Sequence, residues 1–422
     1  MKKTLLMSAA FLAASTAVMA QNGLTLLPNP TDMYTMGFAL SADGKYVAGR
    51  YSDNVTVFVS DWKAGTTVTA TTDEEEEYSY INNVSNLGTG VGYVGTQAGW
   101  LKADGATKFV GDSSIVKDAT NADDLFVGNE YHNDLMYPHA CLWDAEGNRT
   151  MLPEPTDEWA GFAVNGTSAE LISEDKSVIV GYMVDDFYTC PLLVWHMNRD
   201  TKTYSADPSL TKKYFAAGWD TEHPYTLFMP TGLSNNGQWI ALTLQDQDYN
   251  SGVARYDLVN DTLEVCMSDN ARMQMQSTGI ADDGTLIGYT NSAAIYWKAG
   301  EAQFTTLSEA FPNVEKLAAF DEQGDHAAFA ISADGRYILG QGYQEPADEE
   351  QYYNDLFTYV LDTEDDGTAT GIEMVEKTNG TNAASSAVKA RYNLRGQRVS
   401  AQERGLQIVR MGDGRVRKQI VK

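Results

Sequence analysis

Short apolar runs recur along this chain in one internal order, separated by polar turns. An apolar residue, a small or polar one and Asp/Asn-Gly are followed by a few apolar residues that end in Gly. Leu40-Ser-Ala-Asp-Gly-Lys-Tyr-Val-Ala-Gly49 and Ile331-Ser-Ala-Asp-Gly-Arg-Tyr-Ile-Leu-Gly340 are the closest pair. Ile172-Ser-Glu-Asp-Lys-Ser-Val-Ile-Val-Gly181, Leu233-Ser-Asn-Asn-Gly-Gln-Trp-Ile-Ala and Ile280-Ala-Asp-Asp-Gly-Thr-Leu-Ile-Gly288 are clear relatives, and Asn121-Ala-Asp-Asp-Leu-Phe-Val-Gly128 is a worn one. Asp-Gly and Asn-Gly accept positive φ and close tight hairpins, so each copy reads as two antiparallel strands around a turn.

A second rhythm follows each copy. A polar stretch leads to a short apolar segment with an aromatic, namely Trp62, Trp100, Trp143, Trp195, Tyr256, Trp297 and Tyr359. Another turn and a last short strand close the unit, as in Thr66-Thr-Val-Thr-Ala70, Lys108-Phe-Val, Arg149-Thr-Met-Leu and Gln303-Phe-Thr-Thr-Leu307. Four antiparallel strands cannot bury both faces of their sheet alone, whereas radial stacking of such sheets can. The pattern therefore predicts an all-β, seven-bladed β-propeller of four-stranded blades, at about 24–72, 73–112, 113–154, 155–215, 216–268, 269–310 and 311–375. Blade 2 departs most, since Asn86-Leu-Gly-Thr-Gly replaces the Asp-Gly turn, and Leu307 to Phe320 is the one helix candidate.

The first 20 residues read as a signal peptide: Lys2 and Lys3, an apolar stretch from Leu5 to Val18, then a cleavage site between Ala20 and Gln21. That stretch is too short for a membrane helix, and no later run reaches the length of one, so a mature chain exported through the inner membrane is expected. Cys141, Cys190 and Cys266 offer neither a disulfide framework nor a zinc pattern; buried thiols with at most one bridge are expected.

Charge is distributed unevenly. The chain carries −28, but from Lys377 onward there are 11 Lys/Arg and 2 Asp/Glu, a net +9 against −37 for the rest. An acidic body argues against nucleic acid as a partner. The segment 376–390 is small and polar, a linker between the propeller (21–375) and a basic tail (391–422) predicted as a small β unit.

The repeat resembles the Ser-Pro-Asp-Gly-Lys pattern of TolB-like propeller repeats, here without the Pro, over roughly Leu24 to Thr370. The tail resembles the C-terminal sorting domain of type IX secretion cargo in Bacteroidota. Tyr392, Gly396 and Val399 match that family's first strand, Gly405 and Val409 its second, and Lys418 and Lys422 its terminal Lys-x-x-x-Lys. Gln407 replaces the usual aromatic, and the tail is shorter than is typical. The resemblance implies delivery to the outer-membrane surface, or release, through the secretion machinery; without a working tail signal the chain is periplasmic.

Catalytic motifs are sparse. The Ser-x-Asp-Gly turns lack sialidase Asp-box spacing, and no Gly-x-Ser-x-Gly elbow or phosphate loop occurs. His132, His139, His196, His223 and His326 show no metal spacing, although His132 and His139 flank a Tyr-rich loop; no cofactor is expected. The acidic stretches Asp73–Glu77, Asp185-Asp186 and 362–366 read as solvated loops rather than calcium sites. Inserts between second and third strands mix aromatics with carboxylates, and their Tyr182, Tyr188, Tyr249, Tyr343, Tyr352 and Tyr353 are the candidate binding residues. The expected function is a cell-surface module binding a glycan, peptide or surface protein. A glycan-active enzyme with carboxylates in the central channel is the alternative.

Overall fold

The structure, a computed structural model, describes residues 10–12, 20–21, 23–72, 78–131, 137–217, 221–269, 272–344, 355–365, 388–392, 405–411 and 416–421. The chain divides into two compact units, residues 1–367 and 368–422.

The first unit is the expected seven-bladed propeller. Blade 1 consists of Thr35–Leu40, Tyr46–Tyr51, Thr56–Asp61 and Thr66–Thr71, running from the inner strand to the outer one. Blades 2 to 6 repeat this order, with inner strands Tyr80–Val84, Ser114–Ala119, Gly166–Ile172, Tyr225–Leu233 and Met275–Ile280. Blade 7 is assembled differently from the expected span 311–375. Its inner three strands are Ala327–Ile331, Tyr337–Gln344 and Asp355–Asp362, but its outer strand is Leu24–Leu26 from the start of the chain. Leu24 pairs with Leu361 and Leu26 with Tyr359, so the two ends of the propeller chain close the ring in one sheet. Two short backbone strands at the N-terminal end, Ala10–Leu12 and Ala20–Gln21, add to the outer edges of blades 1 and 7.

The region ahead of blade 7 folds as two helices, Leu307–Ala310 and Glu315–Gln323, so Leu307 is helical rather than part of an outer strand. Thr306 and Glu309 form a capping box, which satisfies both ends of the first turn. Leu317 and Phe320 bury against Ile338 and Tyr359 of blade 7. Asp321 accepts at 2.5 Å from the ring of buried His326, whose other nitrogen meets the Tyr359 hydroxyl at 2.7 Å. Two further short helices, Asp157–Ala160 and Ser209–Tyr214, flank blade 4.

Every hairpin between inner and second strands uses one chemistry. A residue with positive φ sits at Gly44, Gly88, Asp123, Lys176, Gly237, Gly284 and Gly335, one per blade. In the Ser copies the hydroxyl accepts backbone N–H across the turn, as Ser41 does from Lys45 and Tyr46. Blade 2 is no exception: Ser85 accepts from Thr89, and Gly88 takes the left-handed position at φ 75°. Serine and a left-handed residue suffice for the turn, so Leu87 can replace its Asp.

The seven aromatics of the third segments are all buried, as their spacing predicts. Only Trp143, Trp195, Tyr256 and Trp297 share one register, opposite Phe126, Ile179, Ile240 and Leu286. Trp100 lies one residue out of this register, while Trp62 and Tyr359 lie two out in opposite directions.

The tail unit is an antiparallel sheet of Val388–Tyr392, Gly405–Met411 and Val416–Val421. Its first strand thus begins inside the stretch read as linker. Among the described residues no helix is long and apolar enough to cross a membrane.

Candidate functional site

The inner strand of every blade carries a β-bulge. Register shifts between Gly37 and Ala39, Ile81 and Asn83, Val116 and Asp118, Ala169 and Leu171, Pro230 and Gly232, Ser277 and Gly279, and Ala328 and Ala330, and blade 5 has a second shift between Tyr225 and Leu227. A bulge leaves one residue out of the ladder and re-aims its side chain. The seven residues are Phe38, Asn82, Lys117, Glu170, Thr231, Thr278 and Phe329.

This arrangement explains the Gly that ends the apolar run in every blade but the fifth. A Cβ at Gly49, Gly92, Gly128 or Gly288 would lie 2.0 Å from an inner-strand carbonyl oxygen, and at Gly181 it would lie 1.9 Å from Ser168 O. Only glycine allows the bulged strand to approach so closely. Blade 5 lacks that glycine and sets Leu242 opposite Pro230, which has no N–H to draw the strands together.

Bulged residues of neighbouring blades meet around the channel axis. On one side they are aromatic: Phe38 lies 5.7 Å edge-on from Phe329 and stacks 4.9 Å from Tyr80, which continues to Tyr93 at 6.4 Å. Tyr289 lies 6.2 Å from Phe329. The Arg50 guanidinium sits among these rings, 5.6 Å from Tyr80 and 5.9 Å from Phe38. The opposite side is polar. Lys117 pairs with Glu170 at 3.1 Å, Ser168 donates to Glu170 at 2.5 Å, and Asn129 donates to Ser168 at 2.6 Å.

One mouth of the channel is tied shut by the turns. Ala333 N–H donates to Ala42 O, Asp282 N–H to Ala333 O, and Glu174 N–H to Asn235 O, at 2.8–2.9 Å. Asn236 N–H reaches Asp282, Asn121 N–H reaches Glu174, and Asp43 N–H reaches Asn86, at 2.7–2.9 Å. Thr89 and Asp123 bridge the remaining junction at 2.5 Å, so every pair of adjacent blades is linked here. Asn121 of blade 3 also bonds Asn235 of blade 5 at 2.7 Å, which leaves little width between them. The other mouth carries the loops between second and third strands.

The four candidate tyrosines among the described residues lie on that insert face but in separate places. Tyr182 is half-buried on the second strand of blade 4, and burial followed by the Glu170 charge pushes its hydroxyl pKa up. Tyr188 is exposed in a loop that Asp185 holds through Thr189 N and Oγ1 at 2.8 Å, and it stacks 5.9 Å from Tyr137. Tyr249 is exposed at the tip of the blade 5 hairpin, where Asp246 accepts from Asp248 and Asn250 at 2.9 Å. Tyr343 is the penultimate residue of the second strand of blade 7, while Tyr352 and Tyr353 lie outside the described residues.

Of the four described, Tyr182 alone joins the channel network, so the channel residues were missed. Their signal is nevertheless present: the bulged residue stands three positions before the first turn residue in all seven blades, as Phe38 does before Ser41 and Glu170 before Ser173.

The remaining candidates are structural or lie elsewhere. All three cysteines are unbridged, but only Cys141 is fully buried, its thiol pushed up to about 12 by burial. His139 pairs with Glu154 at 2.8 Å, His132 lies outside the described residues, and among the described residues no His/Cys/Asp/Glu group could hold a metal ion. Asp73–Glu77 also lies outside the described residues. A polar cleft of about 490 Å³ separates blades 6 and 7 on the turn face, but its Arg336 is already bound by Asp362 at 2.9 Å and Glu364 at 2.7 Å.

Asp118 closes the polar side. Its carboxylate accepts from Ile172 N at 2.9 Å, Ala119 N at 2.7 Å and Asn83 Nδ2 at 2.7 Å, so it ties blades 2 and 4 to blade 3. Burial outweighs these bonds and pushes its pKa up to about 7. A carboxyl harder to ionise when folded favours the folded state most below its unfolded pKa, near 4. That contribution falls as pH rises to about 7 and is gone above it, a swing of up to about 4 kcal/mol. Asp118→Asn cannot ionise, but it turns an amide N–H₂ toward one of these donors. Denaturant unfolding should therefore show the variant weaker than the parent near pH 4.5 and closing the gap, or overtaking, near pH 8. Parallel stability curves would exclude this role.

No protein-family model matches this chain, and no curated protein matches it. Among solved structures it is similar to TolB from Acinetobacter baumannii, at 15% identity and a TM-score of 0.36, over 58% of this chain and 57% of that one. An oligogalacturonate lyase from Vibrio parahaemolyticus aligns at 12% identity and a TM-score of 0.48, covering 85% and 97% of the two chains. The β-propeller domain of Cps50 (Swd1) from Myceliophteria thermophila aligns at 12% identity and 0.46, over 79% and 99%. The likeness is one of fold, among proteins of varied function.

Proposed function

We propose that this chain is an exported binding module whose ligand seat is the insert-face mouth of the propeller channel. The observation that carries the reading is the ring of seven bulged residues, whose Phe38 and Phe329 meet Tyr80 and Tyr289 on one side of the axis, with Tyr93 stacked on Tyr80. Ring faces beside polar groups suit a ligand with both apolar and hydrogen-bonding surface. The glycan-active alternative needs available carboxylates, whereas Glu170 and Asp118 are already engaged by Lys117, Ser168, Asn83 and backbone N–H groups. A binding screen of the chain against glycans, peptides and host surface proteins tests the reading. Any ligand found should be lost, or weakened at least about ten-fold, in the Phe38→Ala/Phe329→Ala double variant. A ligand that ignores both changes would move the seat elsewhere.

The route out of the cell belongs to the same reading. Residues 1–20 would be removed between Ala20 and Gln21, leaving the closing strand Leu24–Leu26 intact in the mature chain. The tail would serve as a type IX sorting signal of the Bacteroidota kind. Tyr392, Ile408 and Lys418 are register partners across its three strands, and Val409 is fully buried, while Gly396, Val399 and Lys422 lie outside the described residues. Deleting Arg391 to Lys422 should leave a folded propeller stranded in the periplasm. Unchanged surface delivery on fractionation of the native host would exclude a sorting role.

A further inference from the structure

We infer that the aromatic side of the channel binds a ligand carrying a carboxylate next to a ring or apolar face, and that Arg50 receives the carboxylate. This deepens the channel-mouth reading and rests on it. Arg50 is a half-buried cation on the second strand of blade 1, opposite Met36, in a chain of net charge −28. With so many carboxylates on the chain, a half-buried guanidinium would ordinarily have one. Among the described residues it has neither an ion pair nor a hydrogen bond, and its Nε is fully buried without an acceptor. Three other half-buried or buried cations of the propeller are engaged, Lys117 by Glu170, Arg255 by Glu264 and Arg336 by Asp362 and Glu364, while Lys316 lies over Phe320 and Phe357.

What surrounds Arg50 is aromatic. Phe38 and Tyr80 lie within cation–π distance and are stacked on one another, interplanar angle 23°. Rings hold the guanidinium in place without consuming its N–H groups, so its donors stay available for a planar, two-oxygen anion. A buried donor without an acceptor is costly unless something arrives to take the bond. The hydroxyls of Tyr80 and Tyr93 likewise have no protein hydrogen-bond partner among the described residues, which adds donors beside the same rings. The Lys117–Glu170 pair on the polar side is self-neutralising and adds no anion preference.

Titration calorimetry of the intact chain tests the inference with glucuronate and phenylacetate as probes, each beside a neutral counterpart, methyl glucoside and benzyl alcohol. The first pair represents acidic sugars and the second aromatic acids, so the two arms separate the sources of the same chemistry. At least one acid should bind more tightly than its neutral counterpart. Arg50→Gln should weaken that acid about ten- to a hundred-fold and leave the neutral compound unchanged. Arg50→Lys should recover only part, because an ammonium cannot bind both oxygens in one plane. The melting temperature of each variant without ligand reports whether the fold survived.

Absence of binding by both acids at about 10 mM would overturn the inference, as would equal binding of acid by the parent and Arg50→Gln. A screened ligand lost in Phe38→Ala/Phe329→Ala yet indifferent to Arg50→Gln would sink the anion assignment alone. A ligand indifferent to all of these changes would sink the channel-mouth reading itself.

Discussion

A chain that ends before Phe311 is expected not to fold as a shortened ring at all. The outer strand of blade 7 is Leu24–Leu26, so removing the last blade also strips the N-terminal strand of its partner. Leu24 and Leu27 are 2% and 5% exposed, and Leu27 N–H donates to Thr358 O at 2.9 Å. Without blade 7 these residues, and the facing sides of blades 1 and 6, are left to water. A milder version tests the same contact: Leu24→Ala should cost about 2–5 kcal/mol, the range for deleting a buried leucine side chain. Thermal melting followed by circular dichroism, with residues 21–376 as the reference, reads both variants. Cooperative melting of the truncated chain at the reference temperature would refute the closed ring.

The second large effect belongs to Arg255, 1% exposed on the third strand of blade 5. It donates to Glu264 at 2.7 Å, to the carbonyls of Gly284 and Lys298 at 3.0 and 3.1 Å, and to that of Glu301 at 3.2 Å. Its guanidinium also lies 4.4 Å from the Trp297 ring. One side chain thus ties two turns of blade 6 to blade 5. Arg255→Ala removes the clamp and leaves those carbonyls short of a donor, at about 3–5 kcal/mol. Arg255→Lys should restore little, since a point charge cannot span several separated carbonyls. Urea denaturation reads the loss. A cost below about 1 kcal/mol for the alanine variant would show that the turns hold without the arginine.

Much of the architecture is legible because it is written locally and repeated. A turn closes on residues adjacent in sequence, so Ser41 with Gly44 and Ser332 with Gly335 announce their hairpins. Repetition turns a weak local signal into a blade count. The glycine ending each run was visible too, but its reason was not. It answers a carbonyl from the neighbouring strand, and the bulge beside it follows only once the two strands are in register. The three-residue offset from bulge to turn can be read in any blade afterward, and it turns Phe38, Lys117 and Glu170 from ordinary strand residues into channel residues.

Alternating apolar strands, hairpin chemistry, the blade number and the separate basic tail were determined by the sequence itself, because short-range steric and solvation preferences decide them. Tertiary structure alone decided that Leu24–Leu26 completes blade 7, since a three-residue edge strand has no local mark of its distant partner. It also decided that Arg255 is satisfied in a buried clamp while Arg50 stands among rings with no anion among the described residues. Two arginines on adjacent-looking strands read alike in sequence; the groups brought to each by other blades set what each can do.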